Sequence, residues 1–436
     1  MKLATLLLLT TLPLQAQTAP QLTGRWFATA DFYGAQRYMR IDLEQQGDKL
    51  TGKFSGDKLE GTITGSALHF LAKNDQGLTA DVNGTITNGT ITATVLQNYP
   101  GQPTQNYAIT ATLAPARPTT APQRHEFTPT VFYRTYSALN KPVLTINPGD
   151  TVHTWTVDAA GNDANNVRRS AGGNPETGPF YIQSAMPGDT LVVHIKRLKL
   201  NRDSAISDDG VVESALNSNL AVKMKDVGKD LQWHLDLANG TASPAKPDVH
   251  FAHYTVPLHP MLGCIATAVN PAAAAPGTGD SGNYGGNMDF NEIVEGSTVY
   301  LPVVNPGALL YLGDAHAAMG DGEINGNALE TSMDVEFTVD IIPNTNLGFP
   351  RVETPTHIIS LGYSGSLDDA FRDATSSMAQ WLTQDYNLNP SEIAQVIGTA
   401  AEYKVTEVAD RNSGIALKIN KDRLATLTKT PPIKPN

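Results

Sequence analysis

Between residues 22 and 113 the chain is broken at short intervals by pairs that accept a positive φ: Gly47-Asp48, Gly56-Asp57, Asn83-Gly84 and Asn88-Gly89. Such pairs fit tight hairpin turns, and no long helix survives that punctuation. The intervening segments Trp26-Phe27-Ala28-Thr29-Ala30, Tyr38-Met39-Arg40-Ile41-Asp42-Leu43 and Leu50-Thr51-Gly52-Lys53-Phe54 are rich in aromatic and β-branched residues. Gly61-Thr62-Ile63-Thr64 recurs as Gly84-Thr85-Ile86-Thr87. An antiparallel meander or small barrel follows. It holds one histidine and no cluster of ligands, so chemistry is expected elsewhere.

Ala114-Pro115-Ala116-Arg117-Pro118-Thr119-Thr120-Ala121-Pro122 is a proline-rich linker, taken to extend over 114–128. Beyond it β patterns resume, and Asn147-Pro148-Gly149-Asp150 and Met186-Pro187-Gly188-Asp189 each form a turn between strands. Residues up to about Ile342 are therefore mainly β. Helices come late. Ser366-Leu367-Asp368-Asp369 resembles a capping box, and Leu367, Phe371, Ala374, Met378 and Trp381 repeat at helical spacing. Asn389-Pro390 opens a second helix. With 40% hydrophobic and 17% charged residues, the 436-residue chain can bury a sizeable core. A formal charge of −12 with no basic cluster excludes a nucleic-acid partner.

Polar side chains gather in Gly313-Asp314-Ala315-His316-Ala317-Ala318-Met319-Gly320-Asp321-Gly322-Glu323, directly after the apolar Ala308-Leu309-Leu310-Tyr311-Leu312, taken as a strand. Oxygen donors beside one imidazole suit zinc or a similar divalent ion. Calcium prefers oxygen alone, and His316 counts against it. A solvated acidic loop is the plain alternative. Gly282-Asn283-Tyr284-Gly285-Gly286-Asn287-Met288-Asp289 is either a bulged turn or a place where backbone comes close to a ligand. Asn174-Pro175-Glu176-Thr177-Gly178-Pro179-Phe180 is an irregular entry to a strand.

In this order, together with Val256-Pro257-Leu258-His259-Pro260-Met261-Leu262-Gly263-Cys264, Tyr300-Leu301-Pro302-Val303 and Glu330-Thr331, these segments resemble the acetamidase/formamidase family. The resemblance covers roughly residues 132–410 and leaves the N-terminal β domain unplaced. It implies a mainly β fold with an α+β C-terminal part, in which a small barrel precedes a β-sandwich or barrel catalytic body over 129–436. It also implies metal-assisted hydrolysis of a small linear carboxamide to carboxylate and ammonia. On this basis Asp158, Asp314, His316 and Glu330 are expected as metal ligands. Glu323 and Asp321 are expected as catalytic groups, with Glu323 the general base. Asn174, Gly178, Asn283, Tyr284 and Asp289 are expected around the substrate. Glu323 as a ligand stays open, and Asp289 is a further ligand candidate.

Two departures bear on mechanism. Asn174 stands where many formamidases carry His, and Ile324-Asn325-Gly326 replaces the frequent V-C-G. A thiol nucleophile at that position is absent, and Cys264, the single cysteine, is expected as buried packing that forms no internal disulfide. The rival function is a non-catalytic extracytoplasmic ligand-binding protein on the same scaffold. Met1-Lys2, the apolar run from Leu3 to Leu9 and Leu14-Gln15-Ala16 resemble a signal peptide over 1–16, so an exported, periplasmic or secreted product is expected. No further stretch resembles a transmembrane helix, and self-association stays open.

Overall fold

The structure is a computed structural model that describes residues 21–224 and 229–430. The expected leader, 1–16, lies outside the described residues. The chain divides into two compact units, one ending at Ala114 and the other beginning at Pro115 and taking in Ala35–Tyr38.

In the first unit, Gly24–Phe32, Ala35–Gln46, Lys49–Phe54, Asp57–Thr64, Ala67–Lys73, Thr79–Thr87, Thr90–Asn98 and Gln105–Leu113 pair in sequence order. The first strand then pairs with the last, Trp26 opposite Leu113, and closes an antiparallel barrel. Burial alternates along most of these strands, as in Thr90–Asn98, where Ile91, Ala93 and Val95 point inward. Leu50, Leu59, Phe70, Val82 and Ile109 fill the interior. The repeated Gly-Thr-Ile-Thr segments lie within strands: a Cβ at Gly61 would come 2.1 Å from the His69 carbonyl oxygen, and one at Gly84 2.4 Å from the Ala93 Cβ. Their glycines permit close strand approach, while Ile63 and Ile86 enter the core.

The second unit is a pair of sheets sharing one core. The nine-stranded sheet runs Glu402–Glu407, Ser413–Asn420, His357–Ser364, Arg351–Glu353, Thr298–Pro302, Thr190–Leu200, Met333–Ile342, Thr151–Thr156, Arg124–Glu126. The last of these corrects the linker's extent. Arg124–Glu126 pairs in parallel with Thr151–Thr156, and Phe127 packs its ring 5.5 Å from Phe180. The two proline turns are held by their aspartates. Asp150 accepts from Asn147 N–H at 2.9 Å and Gln123 N–H at 2.8 Å, and Asp189 accepts from Met186 and Asn344 N–H. In the facing sheet, Glu176–Ile182, Leu310–His316, Met261–Thr267 and Gly285–Asn287 are neighbours. Val193, Val335 and Phe337 from one sheet meet Phe180, Leu262 and Leu312 from the other.

Helices Leu367–Tyr386 and Pro390–Ala400 begin at the Ser366 and Asn389 caps. The full capping box is at Asn389 and Glu392, whereas Ser366 accepts only from Asp369 N–H. Ala370, Ala374, Met378, Trp381 and Leu382 make the buried stripe against the nine-stranded sheet. Leu367 and Phe371 lie outside it, and Phe371 stacks on the exposed Tyr403 at 4.4 Å.

If the barrel has its own core, Phe70→Ala should lower one thermal transition by about 3–5 kcal/mol in stability, the scale of a truncated buried aromatic. A second transition, belonging to the body, should stay put in calorimetry. A chain beginning at Gln123 should retain that second transition.

Candidate active site

The expected strand Ala308–Leu312 is displaced. Ala308 and Leu309 have φ of +56° and +60°, and the strand occupies Leu310–His316 instead. It is extended by its antiparallel ladder with Met261–Thr267, in which Met261 lies opposite His316. Asp314 and His316 thus stand on a sheet, not in a loop. Leu310 and Leu312 face the main core, and so do Ala315 and Ala317. The facing shifts by one residue at Asp314, whose φ is +52°. Asp314 and His316 therefore share the other side of the strand.

The remaining groups arrive by pairing. Glu330 is the cross-strand partner of His316. Asp289 follows the Gly285–Asn287 strand and donates its N–H to the Gly263 carbonyl. Glu323, at φ +46°, is pinned by the Ala328 N–H, which donates to its Oε1 at 2.8 Å. Gly322 is tied to the strand Glu402–Glu407 by its N–H, which donates to the Thr406 carbonyl, and by its own carbonyl, which accepts from Val408 N–H, and this brings in Glu407 and Asp410.

Around His316 Nε2 stand Glu330 Oε1 at 3.1 Å, Asp314 Oδ2 at 3.5 Å, Glu323 Oε1 at 3.9 Å and Asp289 Oδ1 at 4.0 Å. All five side chains are buried. Both nitrogens of His316, both oxygens of Asp289, Asp314 Oδ1 and Glu330 Oε2 have no hydrogen-bond partner. Among the described residues no lysine or arginine pairs with any of these carboxylates. Buried carboxylates in such number repel one another, and only a cation or retained protons can offset that. Burial raises Glu323 and Asp289 well above the ordinary carboxylate range, with neighbouring carboxylates adding to it. Burial also lifts Glu330 and Glu407 to about 7 and Asp410 to about 6. Burial alone would lower His316, but Glu330 and Asp314 outweigh it, and the imidazole is raised well above its usual value.

A divalent metal fits this donor set. Asp314, His316 and Glu330 offer atoms within 4.8 Å of one another, and Asp289, His316 and Glu323 form a second such group. Space for the carboxylates depends on Gly263, where a Cβ would lie 2.5 Å from Asp289 Oδ1 and 2.6 Å from Asp314 Oδ2.

Several expected site residues take other places. Asp158 does not join the centre: its Oδ2 accepts from Arg202 Nη2 at 2.7 Å, and both side chains are buried. Arg202 also donates to the Glu330 carbonyl and the Thr331 hydroxyl, so the pair holds the strand that carries Glu330. Asp321 is exposed and bound to Lys404 Nζ at 3.0 Å. Asn283 and Tyr284 line a separate 460 Å³ cavity with Thr267, Pro302 and Arg411. Gly178, at φ +127°, packs against the Leu310 carbonyl. Asn174 lies at the edge of the centre, donating to Asn287 Oδ1 at 2.8 Å and Asp314 Oδ2 at 3.1 Å. Asp289, expected near the substrate, stands among the ligand candidates.

Three groups escaped the sequence reading. Glu407 and Asp410 lie far along the chain, in a segment with no local signature. Glu176 lies inside a quoted motif, yet both its oxygens are buried and unpartnered, and burial beside Asp314 raises it well above the ordinary range. Cys264 is fully buried, with Sγ 2.9 Å from Asn287 Oδ1, and burial pushes its thiol well above the usual value. It borders the centre as a neutral thiol.

In metal-free protein these shifts set the sign of a pH effect. Glu330, Glu407 and Asp410 keep protons to about 6–7 when folded, whereas the unfolded chain releases them near pH 4. The folded state binds more protons across that window, so its stability falls as pH rises through it. Melting temperature should drop by several degrees from pH 5 to 8, and added Zn²⁺ should cancel the drop.

Comparison with known proteins gives the same direction. Residues 251–365 match the Acetamidase/Formamidase family. A formamidase of Methylophilus methylotrophus is 24% identical over 331 residues, 59% of this chain and 80% of that one. A predicted acetamidase/formamidase of Thermoanaerobacter tengcongensis superposes with a TM-score of 0.61 at 25% identity, over 70% of this chain and 99% of that one. The acetamidase of Yersinia enterocolitica gives 0.60 at 27% identity, over 71% and 95%. The body of this chain is thus similar in sequence and fold to acetamidases and formamidases, with residues 251–365 matching that family directly.

Proposed function

We propose that the chain is a metal-dependent hydrolase that cleaves the C–N bond of a small linear carboxamide, formamide or acetamide in size. The observation that carries this is the cluster of four buried carboxylates within 4.0 Å of one histidine nitrogen, its polar atoms largely unpartnered. Asp314, His316 and Glu330 would hold the ion, and the imidazole makes zinc a better fit than calcium. A bound zinc ion supplies Lewis acidity toward an amide carbonyl and a water of lowered pKa. The family and the named relatives support the substrate class.

The chain's own groups have distinct tasks. Glu323 has Oε1 fixed by the Ala328 N–H, which leaves Oε2 to accept a proton from water and return it to the departing amine. Asn174 steadies Asp314 and Asn287 at the edge of the centre. Arg202 and Asp158 position the strand of Glu330 from outside. An exported location belongs to the same reading and rests on the pattern of 1–16. Mature protein from the native host should lack those residues by mass spectrometry, and an intact Met1 counts against export.

His316→Ala should abolish zinc binding and ammonia release from formamide and acetamide, with the circular dichroism spectrum unchanged. Glu323→Gln should keep zinc while the rate falls by about 100-fold or more, the scale of a lost general base. A His316→Ala protein with full zinc content and near-normal turnover would refute the assignment. Loss of zinc from Glu323→Gln would make Glu323 a ligand.

A further inference from the structure

Asp289 belongs to two groups at once. One is its place beside His316 and Glu323, and the other joins it to Glu407 and Asp410, whose ligand atoms again lie within 4.8 Å of one another. We infer that Asp289, Glu407 and Asp410 hold a second cation next to the His316 centre, with Asp289 bridging the two.

The geometry of the three carboxylates supports this. Glu407 has one oxygen fixed, since Oε1 accepts from Asp410 N–H at 2.7 Å, and its Oε2 is buried without a partner. Asp410 likewise has Oδ2 fixed by Asn287 Nδ2, which leaves Oδ1 free. Asp289 is 0% exposed and neither of its oxygens has a hydrogen-bond partner. One oxygen can face each ion, the usual role of a carboxylate in a site with two metals. Glu407 and Asp410 are thus each oriented by one bond and keep a second oxygen for an ion, while Asp289 keeps both. A buried carboxylate without donor or cation is costly, and a cation offsets that directly.

The donor set also selects the ion. Asp289, Glu407 and Asp410 provide oxygen alone, whereas the first centre includes an imidazole. Oxygen-only shells suit Mg²⁺, Ca²⁺ or Mn²⁺, and Asp410 is the exposed member through which water can complete the coordination. The two neighbouring sites should therefore prefer different metals. Glu407 comes from the nine-stranded sheet and Asp289 follows a strand of the facing one, so the second ion would also clamp the two sheets together.

The test is made on the full chain, stripped with chelator and reloaded with Zn²⁺, with Mn²⁺, and with both. Elemental analysis should give two ions per chain when both metals are present, and Mn²⁺ binding followed by paramagnetic resonance should saturate at one per chain. Asp410→Asn and Glu407→Gln should weaken Mn²⁺ by about 10-fold or more and leave zinc in place, as loss of one supporting group does elsewhere. Asp410 is at the exposed edge, so its variant remains informative if Glu407→Gln fails to fold. A single ion per chain under mixed loading, or unchanged Mn²⁺ affinity in both variants, would overturn the second site. A chain that binds Mn²⁺ but never zinc would overturn the His316 centre and spare this one.

Discussion

Concentrating negative charge in a buried place is the constraint on which the body of this protein turns. Asp289, Asp314, Glu323 and Glu330 are buried around one imidazole, with Glu407 buried beside Asp289, and none of them has a lysine or arginine within pairing distance among the described residues. Ordinary cores avoid this arrangement because desolvated like charges raise the free energy of the folded state. It persists here because the groups are fixed by backbone pairing. Ladder register sets His316 beside Glu330, and the Ala328 N–H holds Glu323. The sheets force the acids together, and a bound cation would relieve them.

The surroundings follow from that requirement. Gly263 has no side chain because the space is taken by two carboxylates. Arg202 and Asp158 neutralise each other outside the cluster, so the guanidinium supports the Glu330 strand without quenching the site. Asn174 and Asn287 are amides, which donate hydrogen bonds to the acids without adding charge. Cys264 stays protonated in the same field.

Much of this was legible in the sequence, and the failures have physical causes. Gly47-Asp48, Gly56-Asp57 and Asn88-Gly89 marked hairpins of the barrel, whereas Asn83-Gly84 lies inside the strand Thr79–Thr87; the Pro-Gly-Asp turns marked strand ends whose aspartates hold the backbone. The polar run from Asp314 to Glu323 pointed to the right region. It did not show that Asp314 and His316 lie on a strand, because hydrophobic pattern cannot reveal a sheet buried on both faces. Asp158 sits in a motif-like turn, but only the fold reveals that Arg202 claims its carboxylate. Asp321 shares the local sequence of Glu323, yet two residues along an irregular loop separate a buried side chain from a solvated one. Glu407 and Asp410 reach the centre through the Gly322 contacts with Thr406 and Val408, a long-range pairing with no local sequence trace. Phe371 kept the helical period but faces Tyr403, since period alone does not say which edge of a stripe meets the sheet.

The N-terminal barrel is solid. Leu50, Leu59, Phe70, Val82, Ile91 and Ile109 meet along its axis, each no more than 1% exposed. Eight strands enclose just enough room for side chains or for one small guest, and here the side chains have taken it. No guest can be housed inside without evicting part of the hydrophobic core. Any partner of this domain must therefore be met on the outer wall or at the rims, as a tile meets a surface, not as a cup holds its contents.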